Sequence, residues 1–124
     1  MPRFAANLSL LFTELPLERR FEAAKKAGFD AVELLFPYEL PAHALKSLLA
    51  DQDLALVLIN TPAGDWAKGE RGFAALPDQI ETFRTGFERA LTTAQTCNPT
   101  HIHVMAGLPN SPAAHKVFIE NLIW

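Results

Sequence analysis

A single cysteine, Cys97, stands among 124 residues, so an internal disulfide is excluded. Its place at the end of an apolar helical stretch marks it as a buried structural thiol, and a lone thiol suits a reducing compartment. Long apolar runs are also missing: none approaches the ~20 residues of a membrane-spanning helix. Met1-Pro2-Arg3 leads into a mixed strand with no apolar signal core, so the expected compartment is the cytoplasm. There is no excess of positive charge. Eleven Lys and Arg against fourteen Asp and Glu give a net charge of −3. Arg19-Arg20 and Lys25-Lys26 are offset by Glu18, Glu22 and Asp30, which reads as a solvated helix face and not as a surface that tracks phosphates. Nucleic acid and membrane are therefore not expected as partners. Low-complexity stretches and linkers are absent too, so residues 1–124 read as one domain or part of one.

What is present is a strand-then-helix rhythm repeated four times. Strands are expected over 4–11, 31–36, 54–60 and 100–105, and helices over 17–27, 42–51 and 78–96, with Gly28 closing the first helix as a left-handed cap. A fourth helix is expected from Ser111-Pro112, a capping hydroxyl followed by proline, through Val117, Phe118, Leu122 and Ile123 to Trp124. The segment Ala55-Leu56-Val57-Leu58-Ile59 is apolar throughout, as strands of a parallel sheet covered on both faces are. The expected fold class is α/β, in which parallel strands separated by helices either form an open doubly wound sheet or curl into a (β/α)8 barrel. Such a barrel typically takes ~250 residues, so four βα units amount to a half barrel. No glycine, asparagine or basic last turn closes the helix that runs into Trp124, and the expectation is a chain cut within a longer barrel.

Strand side chains alternate between faces, so a polar residue in an apolar strand is informative. Asn7 shares a face with Ala5 and Ser9, and Glu33 with Ala31 and Leu35. His103 shares one with His101 and Met105, while Asn60 ends the third strand. Asn7, Glu33, Asn60 and His103 are thus expected on one interior surface, toward the carboxyl strand ends where α/β folds collect ligands. A plainer role, four residues satisfying one another in a polar core layer, competes with that reading. His101 is the weaker candidate and is placed at the barrel floor. The pair His101-x-His103 could begin a metal site only with acidic partners.

The segment 61–77 is long for a connection without secondary structure of its own, which suggests a lid or binding loop. Gly69-Glu70-Arg71-Gly72 surrounds a guanidinium with two glycine hinges, and Trp66 and Phe73 flank it. Arg71 suits bidentate hold on a carboxylate or polarised oxygen. Its competing role is a surface ion pair with Glu70 or Asp65.

Taken in order, Asn7-Leu8-Ser9 with Leu11-Phe12, Ala27-Gly28-Phe29 with Val32-Glu33, Phe36-Pro37-Tyr38, Asn60-Thr61-Pro62, Gly64-Asp65-Trp66 and Gly69-Glu70-Arg71-Gly72 resemble the hydroxypyruvate isomerases. The related 2-oxo-tetronate isomerases, within the xylose-isomerase-like barrel superfamily, are similar as well. The resemblance runs the length of the chain. It implies an eight-unit barrel whose members move a proton between adjacent carbons of small hydroxy-carbonyl acids, as from hydroxypyruvate to tartronate semialdehyde. It also implies that the catalytic glutamates and any divalent-metal ligands lie on later strands, so no catalytic or metal residue is assigned in this chain, and the 124 residues alone are expected to be inactive. The residues that carry over are substrate contacts: Arg71, His103, Asn7, Glu33 and Asn60. Two other readings stay open. One is a non-catalytic half barrel that pairs through its exposed first and fourth strands, with itself as a homo-oligomer or with a partner. The other is a metal-dependent hydrolase of the same superfamily, which the acidic balance disfavours.

Overall fold

Ala6 and Leu8 are wholly buried while Asn7 between them is half-buried, the alternation expected of a strand with one aliphatic face. The computed structural model describes residues 1–124, and in it this first strand, β1, is only Ala6–Asn7. It is shorter than the expected 4–11 because Asn7 turns the chain. Asn7 Oδ1 accepts from the Ser9 amide at 3.0 Å, and the Asn7 carbonyl accepts from the amides of Leu10 and Leu11 at 3.1 and 2.8 Å. Asparagine side chains favour such turns because they offer the backbone an alternative to the strand ladder.

Helix α1, Leu17–Lys26, starts after Pro16, buries Phe21 and Ala24, and closes at Gly28 with φ +93, the left-handed cap that glycine adopts at low cost. Strand β2 is Ala31–Leu34 and β3 is Ala55–Asn60, with helix α2, Ala42–Asp51, between them. β1 pairs with β2, and β2 with β3, in parallel, and β4, His101–His103, completes a four-stranded sheet in the order β1-β2-β3-β4. The β2–β3 register shifts between Val32 and Glu33.

The chain divides into two compact units. The first, residues 1–59 and 92–102, holds the core: Phe21, Val32, Leu34, Leu45 and Ile59 are fully buried with Ala6 and Leu8. Burying side chains of this size contributes about 1.5–3 kcal/mol each. Cys97 packs against this core and its Sγ contacts the Ala42 carbonyl at 3.2 Å. Arg20 departs from the expected solvated face. It is half-buried, donating Nε to the Leu15 carbonyl at 2.9 Å and Nη1 to the Leu8 carbonyl at 2.8 Å, so it ties down the turn after β1. Arg19, Lys25 and Lys26 do pair on the surface, with Glu22, Asp30 and Glu22 respectively.

The second unit, residues 60–91 and 103–124, contains the long loop, most of helix α3 (Ile80–Cys97) and helix α4 (Ala114–Ile123). α4 begins later than the Ser-Pro signal suggests, since Ser111 Oγ accepts from the Ala113 amide at 3.2 Å within a turn that precedes the helix. Its inward residues are Val117 and Asn121; Leu122 and Ile123 are 53% and 79% exposed. Asn121 donates to the Ala74 carbonyl at 2.9 Å, a buried polar anchor that hydrophobic periodicity does not reveal. Trp124 meets Phe87 edge-on at 6.3 Å. No helix is long and apolar enough to cross a membrane.

Candidate functional site

Two hydrogen-bonded pairs account for the polar strand residues. In the first unit, Asn7 and Glu33 stand opposite each other in the β1–β2 register, and Asn7 Nδ2 donates to Glu33 Oε1 at 2.9 Å. Asn7 is held from its other side by the Ser9 amide, and Ser9 Oγ in turn accepts from the Leu35 amide at 2.9 Å. Glu33 is half-buried and keeps its second carboxylate oxygen outside this bond. The Asn7–Glu33 contact answers the need of a partly desolvated carboxylate for a donor.

The second unit holds the other pair. Asn60 ends β3 and His103 ends β4, and their side chains meet with Nδ1 of His103 3.1 Å from Oδ1 of Asn60. Asn60 is buried at 5% exposure, and its Nδ2 donates to Met105 Sδ at 3.7 Å. The neighbouring Thr61 is buried as well. Its amide donates to the His103 carbonyl at 2.9 Å and its Oγ1 accepts from the Met105 amide at 3.0 Å. Backbone and side chain of Thr61 thus fix the strand end that carries His103. Nothing in the periodicity singles out Thr61 or Met105; their role depends on which strand end lies beside them.

Arg71 belongs to the same unit. Its guanidinium carbon lies 3.6 Å from the Trp66 ring centroid, and Nη1 donates to the carbonyls of Trp66 at 3.1 Å and Glu70 at 2.6 Å. It forms no ion pair with Glu70 or Asp65. The Glu70 carboxylate accepts instead from the Asp65 amide, and Asp65 pairs with Lys68 at 3.1 Å. Arg71 Nε and Nη2 make no hydrogen bond within the chain, leaving one edge of the fork for a ligand. An open cavity of about 220 Å³ is lined by Arg71 together with Lys68, Phe73, Gln79 and Leu108.

The glycines around Arg71 serve geometry and not free hinging. Segment 61–77 contains a short 3₁₀ turn, Trp66–Lys68, capped by Asp65, whose side chain accepts from the Lys68 amide at 3.2 Å. Gly72 forms an antiparallel bridge with Ala106, and amides of Ala74, Ala75 and Gly107 complete the seam through Met105, Ala106 and Arg71 carbonyls. Gly72 has φ +99, and a Cβ there would collide with Met105 Cβ and the Met105 carbonyl. The Arg71 segment is therefore sewn to the chain just beyond His103.

His101 lies in the first unit and is exposed, lining a cavity with Arg3, Asp30, Ala55 and Thr100. No group of three or more His, Cys, Asp or Glu side chains is placed to hold a metal ion. The donor set present in these residues thus does not build a metal site.

The model of the family described as xylose isomerase-like TIM barrel matches residues 21–123. The chain is 47% identical over 126 residues to a 2-oxo-tetronate isomerase of Pectobacterium atrosepticum, covering 98% of this chain and 48% of that protein. It is 42% identical to the hydroxypyruvate isomerase of Escherichia coli, covering 98% of this chain and 49% of that one. Among solved structures it is similar to one titled AP endonuclease, family 2, from Brucella melitensis, with TM-score 0.93 and 44% identity over 98% of this chain and 48% of that chain. The chain spans about half the length of the curated relatives it matches.

Proposed function

The chain belongs to the xylose isomerase-like TIM barrel family, and from that premise we propose that residues 1–124 supply the amino-terminal half of an isomerase barrel acting on small hydroxy-carbonyl acids. Both the 2-oxo-tetronate and the hydroxypyruvate isomerases among its relatives support this reading. The reaction converts a compound such as hydroxypyruvate to its aldehyde isomer, tartronate semialdehyde, by moving a proton between adjacent carbons through an enediolate.

The observation that carries the proposal is Arg71. A guanidinium stacked on an indole and fixed by two carbonyls keeps one edge of donors free, and that edge matches the planar fork of a carboxylate. Pre-orientation matters because a substrate held in one geometry loses less freedom at the chemical step. His103 is the second contact, offering an imidazole nitrogen to a substrate oxygen. Asn7 and Glu33 form a further polar pair suited to a hydroxyl. The proton-transferring carboxylates and any metal ligands are assigned to the part of the barrel outside these residues, so the 124-residue chain alone is inactive.

The test is an assay of the isolated chain and of a barrel of the relatives' full length carrying it, each supplied with hydroxypyruvate and with 2-oxo-tetronate. Turnover by the long form alone is the expected result. Turnover by neither form, on either acid, would remove the isomerase reading; turnover by the short form would remove the assignment of catalysis to the other half.

One observation favours a second reading, phosphodiester hydrolysis: the Brucella structure is titled an AP endonuclease. The net charge of −3 weighs against a DNA surface. Tight, salt-sensitive DNA binding by the full-length form would favour this reading over the first.

A further inference from the structure

We infer that Asn60 is a positioning residue that locks His103 in one neutral tautomer, with the proton on Nδ1 and the Nε2 lone pair presented outward as a hydrogen-bond acceptor. The tautomer follows from the bonding of Asn60. An amide has one acceptor atom and one donor atom. The donor, Nδ2, is directed to Met105 Sδ at 3.7 Å, and a thioether sulfur can only accept. The atom facing His103 Nδ1 at 3.1 Å is therefore the carbonyl oxygen, Oδ1, which also can only accept. A neutral imidazole meets such an oxygen favourably only if Nδ1 carries its proton, and Nε2 is then bare. Reversal of the amide would set its NH2 against Nδ1 and its oxygen against the sulfur, forfeiting the Met105 bond.

The surroundings hold this arrangement. Asn60 is buried at 5% exposure, so its amide cannot exchange these partners for water at little cost. Thr61 spans the backbone on either side of Val104, accepting from the Met105 amide and donating to the His103 carbonyl, which fixes the chain between imidazole and sulfur beside the Asn60 amide. His103 is exposed, and its Nε2 makes no hydrogen bond within the chain. The outcome is a directed acceptor at the end of β4, suited to a ligand that brings an O–H donor, such as a hydroxyl group beside a carbonyl.

Only this ligand assignment rests on the isomerase reading; the tautomer stands apart from it and is measured apart from it. Long-range proton–nitrogen NMR of the intact chain, taken through an alkaline pH series until the ring signals stop changing, reports which ring nitrogen carries the proton, and a His103→Gln variant assigns the signal among the four histidines. The Nδ1–H form is expected to exceed the Nε2–H form about tenfold, as one well-made hydrogen bond supports. Asn60→Leu is expected to reduce that ratio about tenfold, whereas Asn60→Asp, which keeps an acceptor, should leave Nδ1 protonated. A wild-type His103 protonated on Nε2 would overturn the inference by itself, even if no variant folds. An unchanged ratio in a folded Asn60→Leu, or loss of the Nδ1 proton in Asn60→Asp, would overturn it as well. If the tautomer is as described but the full-length barrel turns over neither acid, the isomerase reading falls and the lock remains.

Discussion

Arg71 lies flat on Trp66, its guanidinium carbon 3.6 Å from the ring centroid, while Nη1 of the same side chain donates to the Trp66 carbonyl at 3.1 Å. One residue thus grips the arginine from two directions, by its ring and by its backbone, and the Glu70 carbonyl adds a third hold. Flexible arginines lose rotamer freedom when they bind a ligand; this one has lost most of it beforehand.

Replacing Arg71 should therefore be costly even when charge is kept. In a full-length barrel carrying these residues, Arg71→Lys is expected to lower kcat/KM for hydroxypyruvate about 10- to 100-fold, about 1.4–2.8 kcal/mol of lost transition-state binding. Lysine can neither form the bidentate fork nor stack its charge in the same way. Steady-state kinetics with unchanged kcat/KM would take Arg71 out of the site.

Gly72 limits the same loop by sterics. Gly72→Ala places a Cβ against Met105 and imposes a left-handed φ on alanine, so a loss of about 1–3 kcal/mol is expected from the shift in urea midpoint. Gly69 has φ +89 but open space around its Cβ position. Gly69→Ala should cost only about 1 kcal/mol, from backbone strain alone. Equal losses at the two positions would mean that the approach to Met105 contributes nothing.

Cys97 gives a pH prediction in the alkaline range. Burial pushes its thiol above the ordinary value, and Lys46 opposes the shift less strongly. The unfolded chain releases this proton first as pH rises, so it binds fewer protons than the native state and stability falls. The contribution is full below the ordinary thiol range and disappears as pH climbs through the raised native value. Thiol labelling at mildly alkaline pH should be slow in the native protein and fast in urea, and Cys97→Ala should flatten the alkaline decline; rapid native labelling would contradict the protection.

Strand order leaves β1 and β4 as sheet edges, and neither carries the proline or inward lysine that discourages edge pairing. Sedimentation velocity over a concentration series should show the 124-residue chain as a dimer or larger species. A monomer that stays dispersed throughout the series would dismiss edge pairing, and with it the non-catalytic half barrel.

Much of the architecture was legible because two signals in it are local. The apolar spacing of Leu45 and Leu49 marks α2 at its observed limits, and the turn residues around Gly28 end α1 where periodicity ends it. Strand ends were less legible. Asn7 cuts β1 to two residues through a side-chain turn, and the Ser111 turn delays α4 to Ala114. In both cases a short polar side chain outcompetes the regular backbone pattern, and periodicity carries no information about that contest.

By itself the sequence determined the alternation of strand and helix, the number of βα units and the identity of the polar residues on apolar strands, because each follows from side-chain spacing along a chain of fixed geometry. Only the tertiary structure decided what those residues do for one another. Asn7 meets Glu33 across 26 positions, and Asn60 meets His103 across 43. It also turned Arg20 from a surface charge into a brace on two carbonyls, and Gly72 from a hinge into a point of close approach. Hydrogen bonds need atoms about 3 Å apart in the right orientation, and that condition is set by how the strands and loops pack together and not by the spacing of residues along any one of them.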